Sequence, residues 1–328
     1  MIKLTPLSAL CLAGSALFSI LSPAAAQSPT QTSIVVPYPA GGGSDFIART
    51  FAPALAQALD QTVIIENLSG AGGAVGSHRL LQRPADGHTL LLGSPNEVIL
   101  APAVNKALAY KAEDFRLIGP ATVTSQVLVA RPTLKAAGIK ELLASAKGPS
   151  AEPISYGSVG IGSLYHVTGT VLAAETGSNM FHVPYRGVTP LVQDLMGGQD
   201  DISFLPLAGS VLSLIKDGKL RALGMAQAER NPLAPNIPTL GEIDPQLKRF
   251  DYPTWAGWLV KADTPDAEVA RLQAALTKAL ADPKVIAAIR ASGSDIAKPL
   301  STAQADAFYT DQTKLFRKIV SDNHISVE

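Results

Sequence analysis

Residues 33–66 read SIVVPYPAGGGSDFIARTFAPALAQALDQTVIIE. Ser33 to Pro37 is a short apolar run rich in Val and Ile, which marks a strand. Ser44 to Leu59 places Phe46, Ile47, Phe51, Leu55 and Leu59 on one face at helical spacing, and Thr62 to Glu66 is apolar and β-branched again. Strand, glycine-rich turn, helix and strand in that order make a βαβ unit, so the fold class is α/β with mostly parallel sheets flanked by helices.

The same grammar continues outward. Thr89 to Gly93 is a third strand. After a bridging region around Val127 to Pro132 the pattern restarts, with strands predicted at Ile154 to Gly157, Met180 to Pro184, Ile202 to Leu205 and Leu220 to Met225. Trp255 to Lys261 reads as one more extended segment, and beyond Pro265 the chain is helical apart from a short run at Asp295 to Lys298. A helical tail of that size needs a sheet to cover, which places it back on the first block. The expected organisation is therefore residues 27–127 for lobe 1, 128–252 for lobe 2 and 253–328 returning to lobe 1, with crossings near Val127 and Tyr252.

At the N-terminus, Lys3 is followed by an apolar stretch from Leu7 to Leu21 and by Ser-Pro-Ala-Ala-Ala before Gln27. That is the layout of a cleavable secretory signal with cleavage near Ala26, and the apolar core is too short for the roughly 20 residues that span a bilayer. The reading places the mature protein in the periplasm. The single cysteine, Cys11, lies in the removed segment, so no disulfide is expected. The chain carries 27 basic and 27 acidic side chains. Loss of Lys3 leaves one excess negative charge and no basic run, so nucleic acid is not an expected partner.

Three stretches pass from a strand through a glycine-rich turn into a helix start: Pro37 to Asp45, Asn67 to Ala74 and Ser155 to Ser163. Glycines let the backbone approach a ligand, and the free N–H groups of a helix start favour an anion. In open α/β sheets such turns lie at the carboxyl ends of the strands, where ligands bind. The bland alternative is that the glycines only allow tight turns and that Ser44 and Ser163 only cap helices. Asp45 is expected to act in capping, since an exposed carboxylate would repel an anion. His166, three residues after Ser163, is expected to be held by local hydrogen bonds, within reach of a ligand or a neighbouring tyrosine.

No turn has the spacing of a P-loop or of a dinucleotide fingerprint. His78, His88, His166, His182 and His324 form no close metal-ligand pair, and Ser158 lacks the first glycine of a nucleophile elbow. No enzyme, metal or cofactor is expected.

The segments IVVPYPAGGGSDFIAR (34–49), VIIENLSGAGGAVGS (63–77), ADGHTLLLGS (85–94), YGSVGIGSLYHVTG (156–169), HVPYRGVTPLVQDLMGGQDDISF (182–204) and LRALGMAQAERNPLAPNIPTLGE (220–242) occur in one order across nearly the whole mature chain. They resemble the solute receptors of tripartite tricarboxylate transporters, the Bug-type receptors. The resemblance implies a Venus-flytrap receptor, monomeric, that closes on a small organic anion, a carboxylate, and delivers it to integral-membrane transporter subunits. It implies a first-lobe loop of Tyr38, Ala40, Gly41, Gly42 and Gly43 with Ser94 after the third strand. The second-lobe loop is Ser158, Gly160, Gly162 and Ser163, with Tyr185 behind it. Val188 and Thr189 after Gly187, and the stretch Ser94 to Val98 with Glu97 beside an expected anion site, depart from the usual pattern and leave ligand identity open. The alternative role on the same fold is a periplasmic sensor that signals to a kinase. Fold alone does not exclude an enzyme.

Overall fold

The computed structural model describes residues 31–208, 210–252, 254–323 and 325. The expected secretory segment, Met1 to Ala26, and His324 fall outside them. Among the described residues no helix is long and apolar enough to cross a membrane.

Two sheets organise the chain. The first contains β1 (Gln31–Val36), β2 (Thr62–Asn67), β3 (Thr89–Gly93), β4 (Phe115–Thr124), and, after a long excursion, β10 (Thr254–Lys261) and β11 (Asp295–Ile296). Its order is β11-β4-β10-β3-β1-β2. The second contains β5 (Gln126–Ala130), β6 (Ile154–Ser158), β7 (Met180–Pro184), β8 (Ile202–Pro206) and β9 (Arg221–Met225), in the order β7-β6-β8-β5-β9. In each sheet a parallel βαβ centre is extended by antiparallel pairing. β1 pairs parallel with β2 and β3 while β10 runs antiparallel to β3; β6 pairs parallel with β7 and β8 while β5 runs antiparallel to β8. This is the α/β, two-sheet architecture that the alternation of short Val/Ile runs and helices requires.

The bridging region differs from the sequence expectation. Val127 to Ala130 is a fully buried strand between β8 and β9, and β4 precedes it with only Ser125 between the two sheets. Gly119 and Pro120 disguise β4 as a turn. Pro120 stands opposite Gly257, where β10 shifts register between Ala256 and Gly257, and this irregularity accommodates a residue that has no N–H to give to the ladder.

The helix after β1 spans Gly43–Leu59 and packs the expected Ile47, Phe51, Leu55 and Leu59 against the core, with one exception in its first turn. Phe51, Leu55 and Ala48 are buried, but Phe46 is 41% exposed. Asp45 takes the inward position at that turn, for reasons given below. Against this face pack Trp258 from β10 and Val269, Leu272 and Leu276 from the Asp266–Leu280 helix, so the C-terminal helices share the core of the first sheet. A second core is continuous across the two sheets, joining Leu91, Leu100 and Val104 to Val159, Leu164 and Tyr165. The two lobes are thus in apolar contact.

Trp258 is 1% exposed and meets Phe51 edge to face, with centroids 5.7 Å apart. Removing so large a buried side chain leaves a cavity costing about 3–5 kcal/mol. Trp258→Ala is expected to lower the urea unfolding midpoint correspondingly, which circular dichroism across a urea series measures.

Candidate functional site

The strand ends that point at the gap between the sheets are those of β1, β3 and β6, and each runs into one of the segments singled out above. After β1 the chain turns through Pro37 to Gly42, and Gly42 caps the helix without a side-chain hydrogen bond. Asp45 closes the turn: its Oδ2 accepts from Gly41 N–H at 2.9 Å and from Arg49 Nε at 2.9 Å. Burial of Asp45 disfavours its charge, but the bonds from Arg49 and Gly41 overcome this and hold its carboxyl below the usual range. Asp45 therefore acts locally, but not as a cap of the helix: it engages the N–H of Gly41, one residue before the N-cap Gly42. Ala40, Gly41 and Gly43 lie exposed at the rim.

Beyond β3 the backbone makes a π-helical turn, Asn96–Leu100, a rare form that often marks functional sites. It folds Glu97, fully buried, back over Ser94. Glu97 accepts from the Ser94 N–H, from Ser94 Oγ at 2.7 Å and from the Tyr38 hydroxyl at 2.9 Å. Burial raises its pKa, hydrogen bonds from Ser94 and Tyr38 oppose the rise, and the outcome is about 7. Tyr110 donates to the Glu97 carbonyl at 2.7 Å and fixes the turn from below. Tyr38 and Ser94 are thus brought together, but around a side chain of the protein itself.

In the second lobe the turn after β6 is closed by its own side chains. Gly160 N–H donates to Ser158 Oγ at 3.1 Å, Gly162 N–H to His166 Nδ1 at 3.1 Å, and His166 N–H to Ser163 Oγ at 3.3 Å, the helix cap. His166 has the local bonding expected of it, and it also stacks on Tyr156, the neighbouring tyrosine, at 6.4 Å. A residue that sequence reasoning passed over completes the cluster. His182, on β7, holds Ser158 Oγ at 2.6 Å and lies with its ring 4.1 Å from that of His166. No local sequence signal marks it; the parallel pairing of β6 and β7 sets it opposite Tyr156. Burial depresses both imidazoles, His166 to about 4 and His182 to about 3, with His166 adding to the effect on His182. Tyr185 stands behind the turn: its N–H donates to Ser158 O at 2.8 Å and its hydroxyl to Asp194 Oδ2 at 2.9 Å.

The lobes touch at these turns. A Cβ on Gly160 would lie 3.1 Å from Gly72 Cα, and one on Gly162 would lie 3.4 Å from Ala101 Cα and from Val104 Cβ. Gly160 and Gly162 adopt φ of +133° and +80°, where side chains are strained. Asn96, also missed from sequence, spans the gap: its Oδ1 accepts from Leu164 N–H, in the first turn of the second-lobe helix Leu164–Thr176, at 2.7 Å. A cavity of about 580 Å³ in the first lobe is lined in part by Glu66, Ala71, His78, Arg79 and Tyr110; of the expected site residues it contains none. No cluster able to hold a metal occurs among the described residues.

Two α/β lobes that meet where glycine turns lead into helix starts define a periplasmic binding protein. A family model for the tripartite tricarboxylate transporter family receptor matches residues 47–325, and the chain belongs to that family. It is 31% identical over 292 residues to the UPF0065 protein in the tcbD-tcbE intergenic region of Pseudomonas sp. (strain P51), covering 89% of this chain and 86% of that one. It is 30% identical to BugT of Bordetella pertussis over 295 residues, 88% of each chain. Among solved structures it is similar to the periplasmic binding protein BugD, with 29% identity, a TM-score of 0.80 and coverage of 91% and 99% of the two chains. MatC from Rhodopseudomonas palustris with bound malate matches at 26% identity and a TM-score of 0.82, covering 88% and 98%.

The pKa shifts predict opposing pH effects. An unfolded histidine titrates near 6.5, so between about pH 6.5 and pH 3 the unfolded chain binds more protons than the folded one; the stability conferred by neutral His166 and His182 is complete above this window and lost as pH falls through it. Glu97 acts the other way: its ordinary value is 4.5, its folded value about 7, so it destabilises the folded state increasingly as pH rises through that interval. Thermal melts from pH 4 to 8 are expected to show Glu97→Gln gaining stability relative to the parent as pH rises.

Proposed function

We propose that this protein is exported, by a signal removed near Ala26, and serves in the periplasm as a monomeric receptor that captures a small organic carboxylate between two lobes. It then hands the ligand to the integral-membrane subunits of a tripartite transporter. The observation that carries the reading is the meeting of the glycine turns of the two sheets at the carboxyl ends of their parallel strands, where α/β folds bind ligands. Residues 27–124 with 253–328 form one lobe and 126–252 the other, and they move about crossings at Ser125 and near Tyr252; the first lies just before the expected Val127, because Gln126 and Val127 pair within the second sheet. The site comprises Tyr38, Ala40, Gly41, Gly42, Gly43 and Ser94 facing Ser158, Gly160, Gly162, Ser163 and His166, with Tyr185 supporting the second turn. Malate in MatC supports a carboxylate as the ligand class.

The protein works by binding and release. Ser158 and His182 are in contact, but the His182 imidazole, depressed to about 3, is a weak base, and turnover is not part of the proposal. Family membership favours delivery to a transporter over signalling to a kinase.

A thermal-shift screen against a carboxylate library tests the reading, since a ligand at 100 times its Kd adds about 2.7 kcal/mol. With a ligand from that screen, Gly162→Val is expected to weaken binding at least tenfold by calorimetry. Gly41→Val is expected to weaken it less, because no neighbour lies within 4 Å of a Cβ there, whereas Gly162 faces the other lobe. Equal binding by both variants and the parent would show the turns to be structural only.

A further inference from the structure

The first-lobe half of the cleft already holds a carboxylate. Ser94 N–H, Ser94 Oγ and the Tyr38 hydroxyl are the donors that lobe offers beside β3, and all three are directed at Glu97. The residue is fixed from several sides. It is fully buried, its carbonyl is held by Tyr110, and a Cβ on Gly73 would run into its own Cβ. Adjacent Asn96 bonds to Leu164 across the gap, and the charge of Glu97 acts on Tyr165 of the second-lobe helix.

What Glu97 lacks is a cation. The groups acting on its ionisation are Ser94, Tyr38 and its own backbone, and the other titratable groups it influences are the phenols of Tyr110, Tyr165 and Tyr309. A buried carboxylate is costly unless its charge is neutralised or paired. A second carboxylate beside it would meet both electrostatic repulsion and a set of donors already in use. In the second lobe the backbone N–H groups of Val159 and Ile161 have no protein acceptor among the described residues, so an anion has donors on that side.

We propose that Glu97 is a resident anion and the specificity-determining residue of the cleft, which takes a ligand with one carboxylate, held by the second-lobe turn, and a nitrogen N–H donor at its other end facing Glu97. The selected class is half-amides and amino acids with a terminal amine, and dicarboxylates are rejected. This rests on the carboxylate-receptor reading above and narrows it. Such a site discriminates by mismatch: a ligand carboxylate would face a like charge whose neighbouring donors are already taken, whereas an N–H donor meets an acceptor.

The test uses the mature full-length protein and its Glu97→Gln variant, with binding of short dicarboxylates, their half-amides and the corresponding ω-amino acids measured by calorimetry. The parent is expected to bind half-amides or ω-amino acids at least tenfold more tightly than the matched dicarboxylates. Preference for the amino acids identifies an ionised Glu97, and preference for the amides a neutral one; both support the proposal. Glu97→Gln is expected to gain at least tenfold in dicarboxylate affinity. The parent's selectivity is informative even if the variant does not fold. Dicarboxylates bound by the parent as tightly as their half-amides, or selectivity unchanged in a folded Glu97→Gln, would overturn the proposal and leave the receptor reading standing. Binding of none of the three sets by either protein would overturn both.

Discussion

The second-lobe helix Leu164–Thr176 does not complete its own N-terminus. The first N–H groups of a helix have no partner within it, and here Ser163 satisfies one while Asn96, from the other lobe, satisfies another. The approach of the lobes is therefore written into the hydrogen bonding of a helix cap. Around this bond the remaining contacts fall into place: Gly160 against Gly72, Gly162 against Ala101 and Val104, and the apolar core that runs from Leu100 to Leu164. Each depends on a positive-φ glycine or on the π-turn that presents Asn96, which is why both turns carry backbone forms that ordinary helices and strands avoid.

Ionisable groups at this junction are held by hydrogen bonds in a desolvated setting. Glu97 rises toward neutrality, His166 and His182 fall toward it, and Tyr38 is pushed up by burial. Charged side chains nearby are spent on local structure, as in the Asp45 to Arg49 pair that closes the first turn. A cleft of this kind discriminates by matching donors to acceptors, because each buried group without a counterpart carries its full desolvation cost.

Much of this was legible in the sequence. The unit from β1 to β2 and the restart at β6 follow from period and turn chemistry, and two of the glycine-rich turns marked as candidate ligand loops meet at Gly72 and Gly160. What escaped was tertiary in origin. β4 was hidden by Gly119 and Pro120, which are tolerated only because β10 breaks register opposite them. Phe46 belonged to the apolar stripe of its helix, yet Asp45 took the inward position through partners at Gly41 and Arg49. The N–H groups of Gly41, Gly160 and Gly162 looked free for a ligand, and each has an acceptor from its own turn. Asn96 and His182 sit in unremarkable local sequence and gain their roles only when β3 and β7 are set beside the second-lobe turn.

The central claim is that one ligand is gripped by two lobes that close upon it. Small-angle X-ray scattering of the mature protein, with and without a saturating ligand that raises its melting temperature, tests this most directly. The account predicts a smaller radius of gyration in the bound state, with compaction weakened in Asn96→Ala, which loses the cross-lobe helix bond. An unchanged radius of gyration at saturation, in parent and variant alike, would contradict it.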